Sequence, residues 1–499
     1  MFSRILIANR GEIAVRVIRA CREMGIESVA VYSEADAKAF HTTVADHAVL
    51  IGPAAASESY LSVDAIVGAA RATGAQAVHP GYGFLSENPS LPAACDEAGI
   101  AFIGPPAAVI DGMGSKITAR RIAQDAGVPV VPGEIPADQS DAAIVAAATR
   151  IGFPVLLKPS EGGGGIGMKV VRDAASLGPA IAQARREAMA AFGDGTLYVE
   201  RLVEKPRHVE FQVLADHHGD VIHLFERECS IQRRHQKVIE ETPSTALTPA
   251  LRQRMGDAAV AVARAAGYRN AGTVEFLLDG SGDTARFYFL EMNTRLQVEH
   301  PVTEQVVGVD LVRAQILVAA GQPLPWSQEA LSQRGHAIEV RVYAEDPSRN
   351  DLPQAGPLLL YREPSMPGIR VDAGVIEGSE VSVHYDPMLA KLIAWGEDRE
   401  AARRRALAAL RSYPVLGIRT NIGLLIELLE HPRFISGALD TGFLDSEGDT
   451  IRGRLRDEAP AAVHAIAAAA RAAGSPSAGG GRGQPAPDDP WTSLRGVRV

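Results

Sequence analysis

Residues 289–301 read FLEMNTRLQVEHP, and every second residue from 291 to 299 is charged or carries an amide. In an extended chain, side chains alternate between two faces, so Glu291, Asn293, Arg295, Gln297 and Glu299 share one face and Met292, Leu296 and Val298 the other. Taken alone, this alternation describes a solvated edge strand. The residues before it change that reading. TVEFLL at 273–278 reads as a strand, DGSGD at 279–283 as a turn, and RFYFL at 286–290 as the returning strand. Pairing residue 278 with 286 or 287 puts Glu275 opposite 289 or close to it, on the same face as Glu291. Two carboxylates this close repel by about 4 kcal/mol at about 4 Å and an effective dielectric of about 20. A divalent metal turns that repulsion into binding. Oxygen donors from Glu275, Glu291 and Asn293 suit Mg²⁺ or Mn²⁺ carried in on a nucleotide, whereas Zn²⁺ would find no Cys in the segment and only the peripheral His300.

The whole chain sets the bounds for such a site. Its 499 residues predict about three domains, each large enough to bury a core, and 46% apolar with 22% charged residues is the composition of a globular protein. A net charge of −10, with no basic cluster interleaved with aromatics, argues against nucleic acid as a partner. No stretch holds 18 uncharged apolar residues, and Arg4, Arg10 and Glu12 interrupt the first apolar run, so neither a membrane span nor a secretory leader is expected. Cys21, Cys95 and Cys229 are far apart and form no CxxC, which predicts free thiols in a reducing cytoplasm. Only seven of the 50 basic residues are lysine. In such an Arg-rich chain Lys116, Lys158, Lys169 and Lys237 mark candidate phosphate contacts, while Lys38, Lys205 and Lys391 are expected at the surface.

Along the chain, an apolar strand at 4–8, an amphipathic run at 12–23 and a strand at 28–32 make a βαβ opening and predict a parallel sheet. HPGYGFLSEN at 79–88 is a turn-rich loop of the kind found at ligand crevices. Lys116 opens a helix to 124, and the strand PVLLK at 154–158 runs into PSEGGGGIGM at 159–168 before a third strand at 169–171. Gly162, Gly164 and Gly167 spell GxGxxG, but a dinucleotide motif opens a helix, and strands flank this one on both sides. What remains is a strand–loop–strand flap whose backbone N–H groups can wrap phosphates. LYVERLV at 197–203 reads as a strand with backbone suited to an adenine; His208, Glu210 and Gln212 alternate with apolar neighbours; and CSIQRRHQK at 229–237 packs three cations into five residues. Alternating HAIEVRVY at 336–343, helices at 399–412 and to about 429, and an Ala/Gly/Pro/Ser-rich tail beyond about 450 complete the chain.

Residues 79–88, Lys116, Lys158 with its glycine flap, 229–237, Glu275 and EMNTRLQVEHPVTE at 291–304 together closely resemble the biotin carboxylases, the ATP-grasp enzymes of acetyl-, propionyl- and related acyl-CoA carboxylases. The likeness runs from about residue 2 to 445, and IANRGEIA at 7–14 belongs to it. It implies an α/β architecture with a Rossmann-like N-terminal domain over 1–115, an ATP-grasp domain over 116–325 with a lid at about 132–203, an α+β C-terminal domain over 331–445, and a tail or linker over 450–499. The implied reaction is the first half-reaction of an acyl-CoA carboxylase, as used in fatty acid metabolism. ATP, two Mg²⁺ or Mn²⁺ ions and bicarbonate give carboxyphosphate, and the CO₂ it releases is captured by the ureido nitrogen of biotin.

Carried over residue by residue, Lys116, Lys158, Gly163, Gly164, Gly165 and His208 hold phosphates, and Glu200, Arg201, Val203, Met168, Gln232, His235 and Leu277 line the adenine and ribose. Glu275, Glu291 and Asn293 take the metal. Lys237, Arg295, Gln297 and Val298 hold bicarbonate, Glu299 deprotonates it, Arg341 stabilises the biotin enolate, and Tyr82 stands at the bicarbonate and biotin end. The flap departs from the family pattern at Glu161, where a small residue is usual, and at Ile166, where Lys or Arg is usual, which bears on how tightly ATP is closed over. The implied partners are a biotin carrier domain or protein, a carboxyltransferase subunit and a second copy of the chain or a larger assembly. None of the nine methionines gives Met-Lys-Met, so biotin is expected on a carrier and not on these residues. The alternatives are another ATP-grasp carboxylate–amine ligase, such as a carbamoyl-phosphate-forming module, and a non-catalytic ATP-binding subunit.

Overall fold

The computed structural model describes residues 1–160, 167–234 and 236–455. Gly163, Gly164, Gly165 and His235, the departures Glu161 and Ile166, and the tail from 456 on lie outside the described residues. The apolar strand β1 (Arg4–Ile7) leads into α1 (Gly11–Glu23) and returns as β2 (Glu27–Ser33). With β3 (His47–Gly52), β4 (Ala77–His79) and β5 (Ala101–Phe102) these form a parallel sheet in the order β3-β2-β1-β4-β5. The predicted βαβ opening is thus observed. At its carboxyl edge Asn9 donates to the carbonyls of Pro80 and Tyr82, both at 2.7 Å, tying the first turn to the loop after β4. Gly81 is required in that loop, because its φ is +63° and a Cβ there would lie 2.9 Å from the Asn9 amide.

Helix α2 (Lys116–Asp125) follows, capped by Ser115. Four antiparallel strands, β6 (Gly133–Glu134), β7 (Val155–Pro159), β8 (Lys169–Val171) and β9 (Leu197–Arg201), form a small sheet in the order β6-β9-β7-β8. It packs Leu157, Val171 and Val199 against Ile144 and Ile181 of two covering helices.

The larger sheet holds eight antiparallel strands. In chain order they are β10 (Arg207–Ala215), β11 (Val221–Arg233), β12 (Gln236–Thr242), β13 (Asn270–Asp279), β14 (Arg286–Asn293), β15 (His336–Tyr343), β16 (Ile369–Ala373) and β17 (Met388–Gly396). Their spatial order is β14-β13-β10-β11-β12-β15-β17-β16, so the sheet runs unbroken from residues 207–293 into residues 336–396 across the β12–β15 pair. One face carries Val209, Phe211, Val213 and Phe276 against Met255, Ala259 and Val262 of the helix Pro249–Ala265. The alternation at 208–212 therefore has a cause: the apolar set faces that helix and the polar set faces the site.

Two sequence expectations are corrected here. A bulge between Glu275 and Phe276 shifts the β13–β14 register by one residue, so Glu275 lies opposite Glu291 and not opposite 289. The extended run also ends early: β14 stops at Asn293, residues 294–299 form a loop, and α3 (His300–Val307) begins with Pro301 in its first turn, where proline needs no N–H partner. Among the described residues no helix is long and apolar enough to cross a membrane, and Cys21, Cys95 and Cys229 are free and buried.

Candidate active site

A cavity of about 720 Å³ lies along the polar face of the eight-stranded sheet, with the small sheet on its other side. At one end it is bordered by Lys116, the first residue of α2, and by Lys158 on β7. Lys158 is paired with Glu200 on the neighbouring strand β9, and Arg120 reaches the same carboxylate at 3.4 Å. The Glu200 side chain, expected at the adenine, is therefore engaged in aiming cations. Met168, Val203 and Leu277 give this end its apolar lining, and Arg201 donates to the Tyr288 hydroxyl at 2.8 Å and stacks on its ring. Gln232 donates to His208 at 2.6 Å, and His208 forms a 2.8 Å ion pair with Glu275. Burial disfavours the charge on His208, but Glu275 outweighs it and raises its pKa.

The other end is a chain of alternating charges. The Lys237 ammonium contacts Glu210 at 2.5 Å, Glu275 at 2.9 Å and Glu299 at 2.6 Å. Arg341 donates to Glu240 at 2.7 Å and to Glu299 at 2.9 Å. Each oxygen of Glu299 thus carries a cation. Burial alone would raise the Glu299 pKa, yet Lys237, Arg341 and Arg227 together hold it far below the usual carboxylate range. Burial likewise opposes the charges of Lys237 and Arg341, and the facing carboxylates more than compensate.

Behind this chain sits Arg227, fully buried, which donates to Glu210 at 2.5 Å, to Gln212 at 2.8 Å and to Gln297 at 2.9 Å. Gln297 in turn donates to Glu275 at 2.9 Å. Arg295 lines the cavity, but its guanidinium is held by Glu87 at 2.9 Å and by the Asn293 amide oxygen at 3.1 Å, not left open for a bidentate grip. Val298 lines the cavity too, and its carbonyl accepts from Lys391 at 2.6 Å.

The three residues expected to take the metal are placed differently. Glu275 and Glu291 face each other across β13 and β14 and both line the cavity. Burial, and then the negative charge of Glu275, push the Glu291 pKa up, against the pull of His208 and Lys116. A hard cation fits this pair of oxygen donors. Asn293 does not fit as arranged: its amide nitrogen donates to Glu275 at 2.8 Å and its oxygen is taken by Arg295. His300 is not a peripheral donor either, being fully buried with Nδ1 2.8 Å from the Gln297 carbonyl.

The Tyr82 hydroxyl donates to Glu12, its ring lies 5.8 Å from the Lys391 ammonium, and it feels the charges of Arg341 and Asp386 on the cavity wall. Two further expectations are corrected. Lys391, expected at the surface, is fully buried between Glu12 and the Val298 carbonyl. Of the described cations in 229–237 only Lys237 lines the cavity, whereas Arg233 pairs with Glu345 at 2.8 Å and Asp351 at 3.0 Å. Glu87, Glu210, Arg227 and Glu240 were missed as site residues. Two had a signal in the sequence, Glu87 in the loop at 79–88 and Glu210 in the alternating strand, while Arg227 and Glu240 become visible only through strand pairing.

Residues 1–110 match the family model for the biotin carboxylase N-terminal domain, 115–327 that for the carbamoyl-phosphate synthase L chain ATP-binding domain, and 339–446 that for the biotin carboxylase C-terminal domain. The biotin carboxylase of Halalkalibacterium halodurans is 51% identical over 454 residues, which is 91% of this chain and 100% of that protein. The chain belongs to the biotin carboxylases. It is an ATP-dependent ligase that carboxylates biotin, with ATP, Mg²⁺ and bicarbonate as its reactants and metal. The biotin carboxylase domain dimer of Hydrogenobacter thermophilus 2-oxoglutarate carboxylase, solved with MgADP, ADP and bicarbonate, superposes with a TM-score of 0.86 at 45% identity, covering 92% of this chain and 100% of that one. The mitochondrial methylcrotonoyl-CoA carboxylase alpha subunit of Dictyostelium discoideum is 48% identical over 100% of this chain and 70% of that protein. For the rat and mouse alpha subunits the matched share is 62% and 61% of their length.

Proposed function

We propose that Glu299 is the base that deprotonates bicarbonate, that Lys237 binds the anion beside it, and that Arg341 faces the biotin enolate. The observation that carries this reading is the position of Glu299 between Lys237 and Arg341 on the wall of a cavity that also presents the Glu275–Glu291 pair and, at its far end, Lys116 and Lys158. In the resting arrangement both cations lower the basicity of Glu299. An arriving anion competes for Lys237, and each cation drawn off returns basicity to the carboxylate just where a proton has to be taken. Arg295, released from Glu87, adds a second positive contact to the anion. Lys116, Lys158 and the lid backbone hold the nucleotide phosphates, and the apolar surface of Met168, Val203 and Leu277 receives the base. Mg²⁺ held by Glu275 and Glu291 would neutralise phosphate charge when bound.

Biotin reaches this site on a carrier supplied outside these residues, in the reducing environment of the cytoplasm, and the product passes to a carboxyltransferase within a dimeric or larger assembly that carboxylates an acyl-CoA. The absence of a Met-Lys-Met sequence and the similarity to carboxylase alpha subunits support that assignment. ADP release assayed with and without bicarbonate and free biotin tests the reading. Release should require bicarbonate and rise with biotin; equal release in bicarbonate-free buffer overturns it.

A further inference from the structure

One pair of acidic side chains next to the site has no part in the chemistry above. Glu240 on β12 and Glu339 on β15 are direct partners across the strand pair, and both are fully buried. Side chains opposite each other on adjacent strands sit on one face with Cβ atoms about 5 Å apart. Among the described residues only one of their four carboxylate oxygens is used: Glu240 Oε1 accepts from Arg341, while Glu240 Oε2 and both oxygens of Glu339 have no hydrogen-bond partner. A carboxylate stripped of water and of donors on both oxygens is not a stable resident of a sheet interior, whereas a neutral carboxylic acid is tolerated there.

We propose that Glu339 is carried as the neutral acid and is a positioning residue for Arg341. This rests on the reading of Arg341 as the group that faces biotin. The charged groups acting on Glu339 are Glu240 from β12, Arg341 beside it on β15, Lys391 from β17 and Glu299 from the loop before α3; Lys237 acts on Glu240, Glu12 and Asp372 act on Lys391, and α3, packed on the same face of β15, carries the buried His300 and Glu304. Burial pushes the carboxyl of Glu339 well above the ordinary range, against the pull of Lys391, and Glu240 adds to the rise. With Glu339 neutral, Arg341 divides its donors between Glu240 and Glu299 and stays at the cavity wall. Ionised, Glu339 becomes a third carboxylate competing for the same guanidinium from the sheet side, and draws it back from the cavity. Biotin carboxylation then fails at alkaline pH before biotin-independent ATP cleavage does.

The test compares the whole protein with its Glu339→Gln variant, following bicarbonate-dependent ATP cleavage and carboxylation of free biotin across pH. Glutamine has nearly the shape of the neutral acid and cannot ionise. Carboxylation on the acid side should therefore stay within about threefold of wild type, and its alkaline limb should move up by about one pH unit or more, with ATP cleavage unshifted. An unmoved limb, or a uniform loss at all pH in a folded variant, overturns the proposal. Infrared spectra of the wild-type protein give a second reading that does not depend on the variant folding. A protonated carboxylic acid band should persist through neutral pH and vanish along the carboxylation limb; no such band overturns the proposal. If Arg341→Ala lowers both activities alike, the assignment of Arg341 to biotin is at fault, and the infrared titration still decides the state of Glu339.

Discussion

The same sheet sets two pairs of glutamates face to face, Glu275 with Glu291 on β13–β14 and Glu240 with Glu339 on β12–β15. The first pair opens on the cavity and the second is sealed within the sheet. Repulsion is the same problem in both, and solvent access decides how it is solved. A pair that faces a cavity can be neutralised by a cation that arrives with substrate, whereas a sealed pair has only its neighbours and a proton. Glu299 stands between them, joined to Glu275 through Lys237 and to Glu240 through Arg341.

Cutting the link between the pairs gives the largest effect. Glu299→Gln should lower bicarbonate-dependent ADP release by about 10² to 10⁴, the range of a placed general base, with nucleotide affinity measured by calorimetry little changed. Cutting only the sealed side is the next test. Arg341→Ala should reduce biotin carboxylation by about tenfold more than bicarbonate-dependent ATP cleavage, and equal losses in steady-state assays of both would count against the separation of the two ends.

On the open side, Glu291→Gln removes one of the two carboxylates proposed to hold the metal. The Mg²⁺ concentration needed for half of the thermal shift seen with MgADP should rise by about tenfold, a change of about 1.4 kcal/mol. An unchanged Mg²⁺ requirement would mean that the pair does not hold the metal. The smallest effect belongs to the sealed side. Because the native carboxyl of Glu339 lies above its ordinary 4.5, the folded chain keeps a proton that the unfolded chain releases. The stability this adds is fully present below about 4.5 and is lost as pH rises through the native titration, with a slope of at most about 1.4 kcal/mol per pH unit. Denaturation of Glu339→Gln against pH should lack that decline, and parallel curves would show that Glu339 is ionised throughout.

Much of the site was legible because its chemistry is written in local alternation: Glu275, Glu291, Lys237 and Glu299 stand out on short segments whose polar faces have no structural reason to be so rich. Family resemblance then supplied the placement of Lys116, Lys158 and Arg341. What stayed hidden depends on contacts far apart in sequence. The bulge that brings Glu275 opposite Glu291 leaves no mark in the residues of either strand. Glu87 reaches Arg295 across 208 positions, and Lys391 reaches the Val298 carbonyl across 93. The scarcity of lysine drew attention to Lys237 and left Lys391 at the surface, because composition cannot tell a surface cation from one buried against a carbonyl. Tyr82, a conspicuous aromatic in a loop rich in polar groups, is likewise tied to partners distant in sequence, Glu12 and Lys391.

The unbroken pairing of β12 with β15, in which Ile239 lies opposite Val340 and Glu240 opposite Glu339, also constrains heredity. A slip of one residue in that register would turn Arg341 to the far side of the sheet and put an apolar neighbour in its place. The C-terminal third is therefore not an interchangeable cartridge. A chimaera spliced near residue 330 from two related parents should work only when both parents write the same alternation on these two strands, and a single inserted residue in either strand would silence it without touching any group that meets a substrate.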